Sequence, residues 1–281
     1  MNVLITGAAG FIGSHVCETM LADGWQVVGL DNLDPFYDPA IKKENLRGLR
    51  RNKQFQLVEG DIRDAAVLES VASKTKFDAI IHLAARAGVR PSLQEPRLYA
   101  DVNVGGTIEI LELARRHEIR RLVFASSSSV YGEREGAPFR EDDNVDRPVS
   151  PYAATKKAGE LVCFTYHHSF GIAVSCLRFF TVYGPRQRPE MAIHRFTRLI
   201  DQGQPIEIFG DGTSRRDYTY IDDIVVGVTA ALERTARGGY RIYNLGNHRT
   251  VELLDLVHRI EEILGKKAEV RHLPAQAGDV P

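Results

Sequence analysis

Three observations predict an α/β chain built on a doubly wound parallel sheet with a smaller, interleaved C-terminal lobe. Short β-prone runs alternate with amphipathic helical stretches through the first 180 residues. The first run, Asn2–Thr6, passes directly into Gly7-Ala8-Ala9-Gly10-Phe11-Ile12-Gly13 and then a helical pattern from Ser14 to Ala22. The second run, Gln26–Leu30, ends on an acid, Asp31.

Composition bounds the function. A chain of 281 residues can bury a large core, as one domain or one domain plus a lobe. Hydrophobic content of 43% and charged content of 26% are ordinary for a globular enzyme. A net charge of −1 supplies no basic field, so neither nucleic acid nor an anionic membrane is expected as a partner. Cys17, Cys163 and Cys176 are odd in number and lack Cys-x-x-Cys spacing, which points away from a disulfide framework and from a metal site. No apolar run reaches the length of a membrane span, and no signal-peptide n-region precedes the first strand; a cytoplasmic protein is expected.

Strand, glycine turn and helix in that order form the dinucleotide-binding context of a Rossmann domain. Gly7 permits the tight turn, Gly10 lets backbone N–H groups approach a pyrophosphate, and Gly13 lets helix pack on sheet. Asp31 can accept from a ribose diol and repel a 2′-phosphate, so the expected cofactor is NAD rather than NADP. Further runs follow at Phe55–Val58, Ala79–Leu83 and Leu122–Ala125. Asp61 and Ile62 fall after a strand end, where an adenine edge would lie; a helix cap is the competing reading of Asp61. The helical stretches Arg97–Arg116 and Pro151–Phe170 carry apolar stripes, which with symmetry copies would make a four-helix dimer contact, or else pack internally.

After the fifth strand comes Ser126-Ser127-Ser128-Ser129-Val130-Tyr131-Gly132, at the carboxyl end where open α/β sheets bind ligands. Ser127 could orient a reacting hydroxyl or ketone; without a glycine elbow or triad it does not read as a hydrolase nucleophile. Ser150 and Pro151 suit the N-cap and first position of a helix. Tyr152 and Lys156 then share one helix face. A phenol ordinarily ionises near pH ~10, but a neighbouring ammonium and the positive helix end would favour phenolate, a base near neutrality.

The strand Ala173–Phe180 runs into Thr181-Val182-Tyr183-Gly184-Pro185-Arg186-Gln187-Arg188-Pro189. A helix is expected at Met191–Gln202, a strand at Pro205–Phe209, a turn at Gly210–Thr213 and a helix at Ile221–Thr235. Arg188 and Arg216 could grip phosphates or a carboxylate bidentately, although a surface ion pair is the commoner fate of an arginine. The expected division is a cofactor domain at 1–180, rejoined by 217–245, and a substrate lobe at 181–216 and 246–281.

These motifs together resemble an extended short-chain dehydrogenase/reductase. The resemblance rests on Gly-x-x-Gly-x-x-Gly, Asp31, His82-Leu83-Ala84-Ala85, the Ser127/Tyr152/Lys156 set and Arg178-Phe179-Phe180-Thr181-Val182-Tyr183-Gly184-Pro185. Within that family the chain is similar to nucleotide-sugar epimerases, most of all UDP-glucuronate 4-epimerases. The pointers are Asp31-Asn32-Leu33, Phe36-Tyr37-Asp38-Pro39, Ala87-Gly88-Val89-Arg90, Arg188-Pro189-Glu190-Met191-Ala192 and Gly278-Asp279-Val280-Pro281. The resemblance implies tightly held NAD at Gly7, Gly10, Phe11, Ile12, Asp31, Asn32, Asp61, Ile62, Leu83, Ala84, Ala85, Asn103, Ser126, Ser127, Tyr152, Lys156 and Phe180. It implies a UDP-sugar pocket at Arg90, Ser128, Ser129, Thr181, Arg188, Met191, Phe209, Arg216 and Asp279, and a homodimer. Two departures stand out: Gln276 sits where hexose epimerases commonly place an arginine, and the chain stops at Pro281 where relatives run on.

The implied reaction inverts C4 of the sugar through a transient 4-keto intermediate, with Tyr152 as base, Lys156 holding the ribose and Ser127 bridging to the substrate oxygen. Dehydratases of the family place an Asp-Glu pair where this chain has Ser128-Ser129, and decarboxylases a Glu at the Ser129 position, so epimerisation is expected. UDP-glucuronate to UDP-galacturonate is the leading expectation. UDP-glucose 4-epimerase is the alternative, followed by a non-catalytic NAD-binding relative or a dehydrogenase that releases reduced cofactor.

Overall fold

The structure, a computed structural model, describes residues 1–134, 138–247 and 249–274. In chain order the elements are β1 (Asn2–Thr6), α1 (Phe11–Ala22), β2 (Gln26–Asp31), α2 (Pro39–Asn45), β3 (Phe55–Glu59), α3 (Ala65–Ala72), β4 (Ala79–His82), α4 (Val89–Gln94), α5 (Pro96–Ala100), α6 (Gly106–Arg116), β5 (Arg121–Ser127), α7 (Pro151–Phe170), β6 (Ala173–Phe179), β7 (Thr181–Tyr183), α8 (Ala192–Asp201), β8 (Ile206–Phe209), β9 (Arg215–Tyr220), α9 (Ile221–Thr235), β10 (Tyr240–Leu245), β11 (Thr250–Glu252), α10 (Leu253–Leu264) and β12 (Val270–Leu273).

Seven strands form one parallel sheet in the order β10-β6-β5-β4-β1-β2-β3. The chain winds outward from β1 to β3, then crosses to β4 and winds the other way, so the switch point lies between β1 and β4. A crevice opens there at the carboxyl ends of the strands. The strands read as continuous apolar runs because both faces are covered. One face packs Val16, Met20 and Trp25 with Val228 and Leu232 of α9; the other packs Leu68 of α3, Ile110 and Leu113 of α6 and Cys163 of α7. The three cysteines are buried thiols. Two small sheets, β11-β9-β7 and β12-β8, carry a third core of Phe196, Ile200, Ile206, Ile208, Leu256, Val257 and Ile260.

The expected helical stretch over Arg97–Arg116 is present, but it is not α-helical throughout. Between α5 and α6 a π-helical turn at Asp101–Gly105 widens the backbone and buries Asn103. Its Oδ1 accepts from Arg86 N at 2.8 Å, while its Nδ2 donates to Arg86 O and Thr155 Oγ1, both at 3.0 Å. The extra residue in the turn thus aims an amide at the loop after β4. Asp61 caps nothing: Asp64 accepts from Ala66 N and Val67 N at the start of α3. Residues 240–245, not read as a strand from sequence, form the β10 edge of the large sheet.

His82 is the polar centre of the switch point. Thr107 Oγ1 donates its one hydrogen to Asn103 O and so accepts from His82 Nε2 at 3.1 Å; in the neutral ring Nδ1 then accepts from Thr6 Oγ1 at 2.7 Å, while Thr6 Oγ1 accepts from Ala84 N. The chain of donors selects one neutral tautomer. Burial and the nearby Lys156 charge hold its pKa down at about 3. Unfolded His82 takes up a proton below pH ~6.5, so between those values the unfolded state binds more protons and stability falls as pH drops. His82→Asn is expected to flatten that loss, measured as thermal melts between about pH 7 and pH 4.

Candidate active site

The crevice is a cavity of about 450 Å³ lined from both halves of the large sheet and from the segment after β6. Its floor is the turn after β1. Gly7 has a positive φ of 72°, and a Cβ on Gly13 would overlap the Gly7 carbonyl oxygen, so both positions require glycine. Gly10 is the N-cap of α1, and no side chain caps its first-turn N–H groups. Those donors and the positive helix end are left for an anion such as a pyrophosphate.

At the end of β2 the buried Asp31 accepts from Ala9 N at 3.0 Å and Leu33 N at 2.9 Å. Asn32 Nδ2 donates to Asp61 Oδ2 at 3.0 Å. Arg63 grips the same carboxylate, and these hydrogen bonds hold the Asp61 pKa down at about 2. Two loops are thereby joined along one wall with Ile62. Together with the glycine cradle, this fits an adenine dinucleotide.

The residues expected to be catalytic, Ser127, Tyr152 and Lys156, line the same cavity. Helix α7 starts with Ser150 Oγ accepting from Ala153 N at 3.1 Å and Pro151 at the first position. It packs close to β5 because Gly159 leaves room for the Phe124 ring. Lys156 Nζ donates to Ala125 O at 2.7 Å and stands 6.0 Å from the Tyr152 ring centroid. Burial pushes its pKa down to about 8. Ser127, at the end of β5, accepts from Ser129 N at 3.2 Å and hydrogen-bonds the Tyr152 hydroxyl.

The electrostatics differ from the expectation for Tyr152. Burial of the phenol raises its pKa above the ordinary value, and this outweighs the lowering by the Ser127 hydrogen bond and the Arg188 charge. Arg188 is a protein cation that pulls on the phenol, and the Lys156 ammonium stands near the same ring. Phenolate near neutrality therefore needs further positive charge, of the kind an oxidised nicotinamide ring carries.

Of the residues singled out in the sequence, Gly7, Gly10, Phe11, Ile12, Asp31, Asn32, Asp61, Ile62, Leu83, Ala84, Ala85, Ser126, Ser127, Tyr152, Lys156 and Phe180 all line this cavity. So do Ser128, Ser129, Thr181, Arg188 and Met191. Asn103 lies behind the wall, holding the Arg86 backbone. Arg90 and Phe209 meet each other, with Arg90 Cζ 4.8 Å from the ring centroid, and neither lines the cavity. Arg216, on β9, is likewise outside its lining and donates to Arg215 O at 2.8 Å. Asp279 lies outside the described residues.

Several lining residues were not anticipated as site residues, Lys42, Phe36 and Arg86 among them. Lys42 stands 3.7 Å from Asp31 Oδ1, and Phe36 and Arg86 sit in the wall. An acid at the end of β2 and a short helix following it hint at a lysine partner; nothing local in the chain couples residues 36 and 86. Arg188 reaches the cavity because its loop is tied down elsewhere: Arg186 bonds Glu18 at 2.7 Å and Ser14 at 3.2 Å on α1, and Gln187 donates to Val182 O at 2.9 Å.

A sequence profile of the NAD dependent epimerase/dehydratase family matches residues 3–246. A UDP-glucuronate 4-epimerase from Thermodesulfobacterium geofontis is 45% identical over 278 residues, covering 99% of this chain and 85% of that protein. Among solved structures, UDP-glucuronic acid 4-epimerase from Bacillus cereus in complex with UDP-glucuronic acid and NAD is 40% identical, with a TM-score of 0.93 over 100% of this chain and 88% of that one. UDP-glucose 4-epimerase from Thermotoga maritima with UDP-glucose is 33% identical, with a TM-score of 0.90 over the same shares.

Proposed function

The chain belongs to the NAD dependent epimerase/dehydratase family, and from that premise we propose that it inverts C4 of UDP-glucuronate to give UDP-galacturonate, with NAD retained. The observation that carries the choice of sugar is the convergence of Arg188, Thr181, Ser128 and Ser129 on the cavity that holds Tyr152. A cation and three hydroxyls beside the base suit a carboxylate on the reacting ring.

Bound NAD supplies the acceptor and donor of the C4 hydride. The protein's groups handle the proton and the geometry. Tyr152 takes the C4 hydroxyl proton and returns it when the 4-keto sugar is reduced on its other face. Ser127 bridges to the substrate oxygen and keeps the phenol oriented. Lys156, anchored on the Ala125 carbonyl, presents its ammonium toward the ribose side of the cleft. The carboxylate at C5 is β to the transient ketone, and carbon dioxide is lost readily if the C5–carboxylate bond stands perpendicular to the carbonyl plane. Arg188, Thr181 and the two serines hold it out of that alignment.

We assign the sugar nucleotide to the lobe at 181–216 and 246–281, against a cofactor domain at 1–180 rejoined by 217–245. A homodimer through α7 is part of the same reading, supported by Leu161 and Phe164 standing exposed on that helix, 55% and 47% accessible. Among the described residues no helix is long and apolar enough to cross a membrane.

The test is product identification by NMR from purified holoprotein and a panel of UDP-hexoses and UDP-uronates. UDP-galacturonate from UDP-glucuronate is expected, with no net reduced cofactor. Efficient turnover of UDP-glucose without conversion of the uronate would establish a hexose epimerase instead.

A further inference from the structure

Two arginines from different loops lie over one aromatic ring in the wall of the cleft. Phe36 sits between β2 and α2, Arg86 between β4 and α4, and Arg188 between β7 and α8. The Phe36 ring centroid is 4.9 Å from Arg86 Cζ and 5.9 Å from Arg188 Cζ, both inside the range of cation–ring attraction. Like charges converging on one ring would repel unless one were neutralised. Arg86 is the neutralised one: it forks to Asp34 Oδ1 at 2.5 Å and Glu95 Oε2 at 3.2 Å.

Arg188 is paired with one carboxylate where Arg86 has two. Glu190 Oε1 stands 3.2 Å from its Nη1 but is not aligned as a hydrogen bond, and Nη2 donates only to the weak acceptor Met191 Sδ at 3.4 Å. Among the described residues, the buried side-chain polar atoms left without a hydrogen bond are Arg86 Nε and Arg188 Nη1. Both orphans belong to the guanidiniums over Phe36. The electron-rich ring face is favourable ground for guanidiniums that are incompletely hydrogen-bonded.

We propose that Phe36 and Arg86 are positioning residues for Arg188, and that this ring-and-guanidinium stack, as well as the arginine itself, sets the preference for an anionic over a neutral hexose. Arg86, pinned by two carboxylates, fixes the ring; the ring fixes the height of Arg188 above the reacting sugar. The inference rests on the reading of Arg188 as the partner of the sugar carboxylate. The same placement puts the Arg188 charge within electrostatic reach of Tyr152, whose pKa it lowers.

The Tyr152→Phe holoprotein is the background for the test, since turnover there is expected to be too slow to disturb a binding measurement. Calorimetric affinities for UDP-glucuronate and UDP-glucose give a preference ratio. Phe36→Leu, which keeps bulk but loses the π face, is expected to lower that ratio about tenfold, within the span that a partly desolvated cation–ring contact allows. Phe36→Trp should restore it, and Arg86→Gln should lower it as Phe36→Leu does. A preference left intact in both Phe36→Leu and Arg86→Gln overturns the inference while leaving the functional reading standing. A parent that does not favour the uronate overturns both.

Discussion

Tyr152→Phe is expected to lower turnover of UDP-glucuronate by about 10²–10⁴-fold, the range for losing a positioned general base, while the protein still binds NAD. The variant deletes one oxygen. The ring stays edge-to-face against Tyr99, centroids 6.3 Å apart, so the fold has no reason to change. Steady-state kinetics should show the loss in kcat, with KM for the sugar little altered, because the hydroxyl acts on a proton in flight more than on the bound substrate. The pH profile supplies the sign. Phenolate is the active form, so kcat/KM should fall as pH drops through the phenol pKa in the holoenzyme. Burial raises that pKa and the Ser127 hydrogen bond opposes the rise, so Ser127→Ala should shift the acid limb to higher pH. A Tyr152→Phe enzyme with near-normal turnover would remove the phenol from the mechanism.

Glu160→Ala should produce the largest stability loss, roughly 3–5 kcal/mol as for other broken buried ion pairs. Glu160 is one turn beyond Lys156 on α7. Its Oε1 accepts from Arg178 Nε at 2.8 Å and Ser126 Oγ at 2.6 Å, and its Oε2 accepts from Arg178 Nη2 at 2.9 Å. Both side chains are 1% exposed. Removing the carboxylate strands a buried guanidinium whose remaining partners are Tyr131 and the Glu141 carbonyl. Denaturant titration measures the effect. Glu160→Leu combined with Arg178→Met should recover much of the stability, since the double change removes the orphaned charge along with its partner. Because Ser126 precedes Ser127 on β5, Glu160→Ala should also depress turnover.

The Gly7–Gly13 turn, Asp31 and the Tyr152/Lys156 pair were legible because each works through local geometry: a turn followed by a helix, a strand end, one turn of α7. The helical stretch across Arg97–Arg116 was legible too, but its π-helical turn was not, for the opposite reason. Its π-helical turn exists to aim Asn103 at Arg86 and Thr155, partners 17 and 52 positions away. Arg188 was recognised as an anion ligand from its type and place, but its power over Tyr152 belongs to a loop held by Ser14 and Glu18. The shared helix face did bring Lys156 Nζ to 6.0 Å from the Tyr152 ring; what local spacing left out was the burial that raises the phenol pKa.

Order and composition along the chain therefore determined the parallel sheet, the dinucleotide cradle and the pairing of Tyr152 with Lys156 on one helix face. These follow from short-range sterics and hydrogen bonding, which act over a few residues. Folding alone decided which charges face Tyr152, which ring two arginines share and which buried groups stay neutral. Such properties depend on distance and desolvation in three dimensions, and both are set by residues that meet only once β1, β4, β5 and the segment after β7 have closed around one cavity.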